Sequence, residues 1–136
     1  MKRVFFAVSL ALTMITLAGC QTTKEAANLA VMGISFDFKD TERCDTISPA
    51  IKVTNIPAGT KFLDFHMVDL DYVTYNHGGG TVAYTGSGDI PKNALKNYRG
   101  PCPPSVHNYE ITVKALNQAQ DLVLGKGSSV SPFPAN

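Results

Sequence analysis

The sequence has little surplus of positive charge, because its 136 residues include 12 lysines and arginines against 11 aspartates and glutamates, a net charge of +1. Proteins that bind nucleic acid normally carry a basic patch, so we do not expect nucleic acid as a partner. The chain also lacks P-loop and dinucleotide fingerprints, a Gly-x-Ser-x-Gly elbow and a His-Glu-x-x-His motif. With no credible nucleophile, we expect neither enzymatic activity nor a cofactor.

One long apolar run is present, and it lies at the N-terminus. Lys2 and Arg3 precede the run VFFAVSLALTMITLAG, which is short and flanked in the manner of a secretory signal. Its end, Leu-Ala-Gly-Cys at 17–20, resembles a bacterial lipobox. We therefore expect residues 1–19 to be a lipoprotein signal peptide and Cys20 to be acylated, a durable membrane anchor. An ordinary signal peptide with an incidental cysteine is the alternative.

The destination predicted for this lipoprotein is the bacterial cell envelope. Gln21 is not the aspartate that resembles an inner-membrane retention signal, so we expect the outer membrane, with the domain facing the periplasm. Residues 20–33 are predicted to be the lipidated N-terminus and a polar tether, in which a short helix could form. Residues 34–136 are predicted to be the folded domain.

The two cysteines that follow Cys20 are Cys44 and Cys102. An even pair in an oxidising compartment predicts a disulfide between them. A loop of this length would stabilise the fold by about 4 kcal/mol through the entropy of the unfolded chain. Two free buried thiols remain the alternative.

Alternation of apolar and polar residues over short segments predicts a mainly β fold. Turn residues separate these segments, which favours a sandwich of two sheets. The predicted strands are ISFDF at 34–38, AIKVTNI at 50–56, KFLDFHMV at 61–68, GTVAYTG at 80–86 and YEITVKAL at 109–116.

A few short elements complete the predicted fold. Short helices are expected at PKNALKNY, where Pro91 suits a first helical turn, and at ALNQAQDL. The tail GKGSSVSPFPAN at 125–136 is expected to be loosely held.

Three polar stretches are unusual for a β domain. In VDLDY, Asp69 and Asp71 either share one face of a strand or form a turn. In YNHGGGT, three glycines beside His77 could form an anion-binding nest, and they also match the oxyanion loop of esterases. In YRGPCPPSVHNYEIT, three prolines stiffen the chain before His107. A zinc site from these two aspartates and two histidines is possible, but the spacing does not favour it, so no metal is predicted.

Together these stretches resemble the phosphatidylethanolamine-binding protein (PEBP) family, also called Raf kinase inhibitor-like proteins. The family signature is Gly-Pro-x-Pro-Pro followed by His-Arg-Tyr, and here the sequence reads Gly-Pro-Cys-Pro-Pro at 100–104 and His-Asn-Tyr at 107–109. The segments CDTISPAIKV, MVDLDYV and YNHGG are similar to further parts of the pattern. The resemblance implies a PEBP-like β-sandwich with a pocket for a small anionic ligand, either phosphate or a phospholipid headgroup. The implied pocket residues are Asp69, Tyr75, His77, Gly100, Pro101, His107 and Tyr109.

The sequence departs from this pattern in places that bear on the ligand. Leu70 replaces a proline, Tyr72-Val73 replaces Ala-Pro, and Asn108 replaces an arginine. We therefore expect a reshaped pocket rim and one cation fewer. A lipid-anchored binding protein is the leading hypothesis. A protein-interaction module that inhibits a protease or another envelope enzyme is the alternative, and a hydrolase that uses His77 or His107 is a third.

Overall fold

The structure, a computed structural model, describes residues 23–134. The predicted signal peptide, the lipobox and Cys20 lie outside the described residues. Within 23–134 no helix is long and apolar enough to cross a bilayer.

Within residues 23–134, eight strands form two sheets. The five-stranded sheet has the order β1-β8-β7-β4-β5, and the three-stranded sheet has the order β2-β3-β6. The mainly β class predicted from the sequence is confirmed. The strands are β1 (Lys24–Val31), β2 (Gly33–Phe36), β3 (Ile51–Thr54), β4 (Phe62–Asp69), β5 (Asn76–Ala83), β6 (Asp89–Ile90), β7 (His107–Leu116) and β8 (Leu122–Phe133).

The core lies between the two sheets, and alternation along β4 and β7 decides which side chains enter it. Leu63, Phe65 and Met67 of β4 are buried, as are Ile111 and Val113 of β7. Since side chains of a strand point alternately to opposite faces, every second residue of these strands belongs to the same inner face. The alternation predicted for both strands is confirmed, and the same parity places Asp69 and His107 on the inner face.

The two predicted helices are wrong. In the segment 91–98, the amide of Asn93 donates to the carbonyl of Ser48, and the amide of Asn97 pairs with Gly79. These long-range partners replace the hydrogen bonds of a helix. The segment 115–122 instead ends β7 and turns into β8, because the Asn117 side chain accepts the amide protons of Asp121 and Leu122.

The tether and the loose tail also need correction. Residues 24–31, predicted to belong to a tether, form β1, which pairs in parallel with β8 at the sheet edge. The tail forms most of β8, which pairs with β7 from Val123 to Phe133. A strand from the far end of the chain orders β1, and the neighbouring strands β7 and β1 order the tail, although glycine, serine and polar residues give both segments little strand propensity of their own.

Candidate functional site

Polar side chains occupy the inner face of the large sheet at one end. Asp69 is the last residue of β4 and lies opposite Tyr109 of β7, and His107 begins β7. His77 lies on β5, next to β4. The residues Asp69, His77 and Tyr109 are at least 97% buried. We call these four residues, Asp69, His77, His107 and Tyr109, the imidazole cluster.

Asp69 connects the imidazole cluster to the turn that follows β4. Its Oδ1 accepts the amide protons of Asp71 and Tyr72, both at 2.9 Å. Its Oδ2 lies 2.7 Å from Nδ1 of His107. The sequence left open whether Asp69 forms a turn or a site. In the structure it does both, because its two oxygens serve different partners.

The environment of Asp69 favours its ionised form. Burial by itself would raise the pKa of Asp69. Hydrogen bonds from His107, from the Tyr109 hydroxyl and from the Asp71 amide outweigh burial, so the pKa lies below its ordinary value. Since an ionised carboxylate only accepts hydrogen bonds, Nδ1 of His107 carries the proton.

His77 is held in the same tautomer by a different acceptor. Its Nδ1 lies 2.8 Å from the carbonyl oxygen of Arg99, which can only accept, so Nδ1 carries the proton. Its Nε2 lies 4.0 Å from Oδ2 of Asp69. In both histidines the protein therefore uses Nδ1–H, and Nε2 can donate a hydrogen bond only when the ring is an imidazolium.

Aromatic rings surround His77. The rings of Tyr75 and His77 lie 4.7 Å apart between centroids, and Tyr109 meets His77 edge to face at 5.2 Å. Burial and the nearby Asp69 carboxylate raise the pKa of Tyr109 above its ordinary value, so its hydroxyl stays protonated and donates to Asp69. His107 is the more open imidazole, with one fifth of its side chain exposed.

The proline-rich loop is held to the segment that joins β2 to β3. Gly100 and Pro101 are buried, the Gly100 amide donates to the carbonyl of Asp45 at 2.7 Å, and the Cys44 amide donates to the carbonyl of Pro101 at 2.7 Å. The structure joins Cys44 to Cys102 by a disulfide, with Cα atoms 4.5 Å apart. Because the Gly100 amide already has an acceptor, Gly100 helps to hold the loop rather than offering a donor to a ligand.

The anion-binding glycine nest expected beside His77 is wrong. The amide of Gly78 donates to the side chain of Asn76, and that of Gly79 donates to the carbonyl of Asn97. A Cβ atom on Gly78 would collide with the same Asn97 carbonyl, and φ is +67° there. The glycines serve close packing of the backbone, since the segment at 95–97 lies directly against β5.

Three of the four residues considered for a zinc site lie close together in the structure. Ligand atoms of Asp69, Asp71 and His107 lie within 4.8 Å of one another. Oδ2 of Asp71 already accepts the Asn108 amide at 2.7 Å, and the facing atoms of Asp69 and His107 are bonded to each other. A cation would have to replace these hydrogen bonds, so the geometry favours a hydrogen-bonded cluster.

Exposed apolar side chains surround this end of the sandwich. The sequence predicted a reshaped rim but gave no sign of how exposed it is. Tyr72 is 59% exposed and Val73 is 67% exposed, in a turn that Asp69 holds in place. We call the whole set the apolar rim; it consists of Leu70, Tyr72, Val73, Tyr75 and Val106.

Comparison with known proteins identifies the fold. No protein-family model and no curated protein matches the chain. A crystal structure from Chlamydia trachomatis, described as a homologue of phosphatidylethanolamine-binding protein, matches with a TM-score of 0.51 over 78% of this chain and 99% of that chain. The fold is PEBP-like. The identity between the two chains is 12%, so the likeness concerns the PEBP-like fold and not ligand binding.

The structure brings most of the predicted pocket residues together. Asp69, Tyr75, His77, His107 and Tyr109 form one continuous set of contacts, in which Tyr75 joins through His77. Gly100 and Pro101 lie in the adjoining loop, whose Arg99 carbonyl holds His77. Sequence analysis missed that backbone acceptor, because no side-chain pattern marks it.

Proposed function

We propose that the protein is a lipid-anchored, non-enzymatic binding protein of the bacterial envelope. It holds a small anion, such as phosphate or a phospholipid headgroup, at the imidazole cluster. Acylated Cys20 anchors it to the outer membrane, with the domain in the periplasm. The lipobox supports the anchor, and the PEBP-like fold is consistent with the binding role.

The orientation of the two histidines is the observation that carries this proposal. Each gives its Nδ1–H to a protein acceptor, which leaves Nε2 for a ligand. With Asp69 ionised and both rings neutral, the cluster carries one negative charge and rejects an anion. With both rings protonated, it carries one positive charge; the more open His107 offers an Nε2–H donor, and the Nε2–H of His77 lies 4.0 Å from Oδ2 of Asp69. Anion binding therefore requires proton uptake.

Calorimetry on the lipid-free domain tests the proposal. We expect phosphate and phosphoethanolamine to bind more tightly as the pH falls, and the binding heat to differ between buffers of different ionisation enthalpy because protons are taken up. His77→Ala and His107→Ala should each weaken binding. The third histidine, His66, is exposed on β4 and gives a matched control, so His66→Ala should bind like the wild type.

Two results would contradict the proposal. One is the absence of binding of either anion at any pH at which the domain is folded. The other is equal affinity in the wild type and in both cluster variants, once circular dichroism shows that the variants are folded.

The apolar rim favours a second function, a protein-interaction module. Exposed aromatic and branched side chains are typical of contact surfaces between proteins. A photoreactive residue at Val73 would then cross-link an envelope protein in intact cells, and one at Gln118, at the other end of the sheet, would not. Equal capture from both positions would count against this function.

A further inference from the structure

The first strand of the sheet begins very near the proposed anchor. β1 starts at Lys24, four residues after Cys20. Fully extended, four residues span at most about 14 Å. If Cys20 is acylated, the Lys24 end of the sheet must therefore stay close to the membrane surface.

The imidazole cluster lies at the opposite corner of the same sheet. Lys24 pairs with Leu122, where β8 begins, whereas His107 pairs with Phe133, where β8 ends. At about 3.3 Å per residue, these two ends of β8 are roughly 36 Å apart. β1 is one edge of the sheet and β5, which carries His77, is the other, so four strand spacings, about 19 Å, separate them.

This diagonal keeps the cluster away from the bilayer in two orientations that the anchor allows. If the domain stands on the Lys24 end, His107 is raised by the length of β8. If it lies on the edge formed by β1, His77 is raised by four strand spacings, about 19 Å, and His107 on β7 by two, about 10 Å. The outer face of the sheet presents Asp64, His66 and Lys114 together with the exposed Val130, so it offers the bilayer charged and polar groups rather than an apolar stripe.

We infer that the imidazole cluster faces the aqueous compartment and takes its anion from solution, not from headgroups of the leaflet that anchors the protein. The inference rests on the proposed acylation and anion binding. Phosphate-type chemistry is common to both sources, and the position of the cluster in the fold decides between them.

Tryptophan reporters can test this orientation, because the sequence contains no tryptophan. Tyr72→Trp places a reporter on the apolar rim. Gln118→Trp places one in the exposed turn between β7 and β8, at the Lys24 end. The acylated full chain is reconstituted into phosphatidylethanolamine and phosphatidylglycerol vesicles that contain brominated lipid. We expect quenching of Gln118→Trp and none of Tyr72→Trp, and no quenching of either once Cys20→Ala removes the anchor.

A competition measurement identifies the source of the anion. The acylated protein is placed in nanodiscs of phosphatidylcholine with or without phosphatidylethanolamine, and soluble phosphoethanolamine is titrated. We expect the same apparent Kd in both discs, because headgroups of the anchoring leaflet do not reach the cluster. A Kd several-fold higher in the discs with phosphatidylethanolamine would overturn the inference.

The possible failures can be told apart. Quenching of Tyr72→Trp as strong as that of Gln118→Trp overturns the orientation, whatever the affinity for anions. Absence of phosphoethanolamine binding to the lipid-free domain overturns anion binding, and the assignment of its source with it, even if the quenching pattern is as expected. Vesicle association that persists in Cys20→Ala overturns the acylated anchor and the geometry derived from it.

Discussion

Replacing Asp69 by asparagine removes one charge from the imidazole cluster and changes little else in shape. The amide oxygen can still accept the amide protons of Asp71 and Tyr72, which lie 2.9 Å from Oδ1. The amide nitrogen would then face the Nδ1–H of His107, so two donors would meet where a 2.7 Å hydrogen bond now exists. A hydrogen bond to a charged group contributes about 1.5–3 kcal/mol. We expect Asp69→Asn to lower the free energy of unfolding by about 2–3 kcal/mol at neutral pH.

The effect should depend on pH in a defined direction. The pKa of Asp69 is lowered in the folded protein, so its ionised form stabilises the fold above the unfolded value of about 3.9. This contribution disappears as the pH falls below that value and through the folded pKa. The difference in free energy of unfolding between the wild type and Asp69→Asn should therefore be constant above about pH 5 and should shrink steadily in more acidic solution.

Urea unfolding followed by far-UV circular dichroism measures both quantities. Asp71→Asn is the matched control, because Asp71 is an exposed carboxylate two residues away that accepts the Asn108 amide, and it should cost less than about 1 kcal/mol. Equal losses in both variants, or a loss in Asp69→Asn that does not shrink in acid, would refute the role assigned to the buried carboxylate.

Three further predictions concern stability. The Tyr98 hydroxyl is buried without a hydrogen-bond partner among the described residues, so Tyr98→Phe should raise the free energy of unfolding by about 1 kcal/mol. Burial also raises the pKa of Tyr98, so the wild type should lose stability relative to Tyr98→Phe above about pH 10. The same dependence of the free energy of unfolding on alkaline pH in both proteins would contradict this. Replacing Cys44 and Cys102 by serine should cost about 4 kcal/mol, measured against the oxidised wild type, and a loss below about 1 kcal/mol would show that the bridge is not formed. Gly78→Ala should cost about 2 kcal/mol in urea unfolding, because φ is +67° and a Cβ atom would meet the Asn97 carbonyl, and a neutral result would exclude that close approach.

The sequence best predicts the strands in which apolar and polar residues alternate. In β4 and β7 the apolar residues recur at every second position, and the structure buries them. The same parity carries Asp69 and His107 to the inner face, so their proximity could be anticipated from the pattern together with the family resemblance. The local signal suffices there because burial of one face fixes the register of each strand.

Elements ordered by distant partners could not be predicted in this way. β1 reads KEAANLAV, which suits a polar helix or a tether, and it becomes a strand because β8 offers it an edge. The segment around Leu95 resembles a helix but bonds to Ser48 and β5. The tautomer of His77 depends on the backbone carbonyl of Arg99, which no side-chain pattern reveals.

In the proposed export of this protein, the pairing of β1 with β8 limits when the domain can be completed. A chain that crosses a membrane from its N-terminus delivers Lys24 long before Leu122, yet these two residues are partners in the sheet. β8 also lies between β1 and β7, so until it arrives the early strand has no neighbour in its sheet. If the protein is exported as proposed, the domain therefore finishes folding only after translocation of its last described strand, and β1 spends that interval as an unpaired segment open to proteases and chaperones.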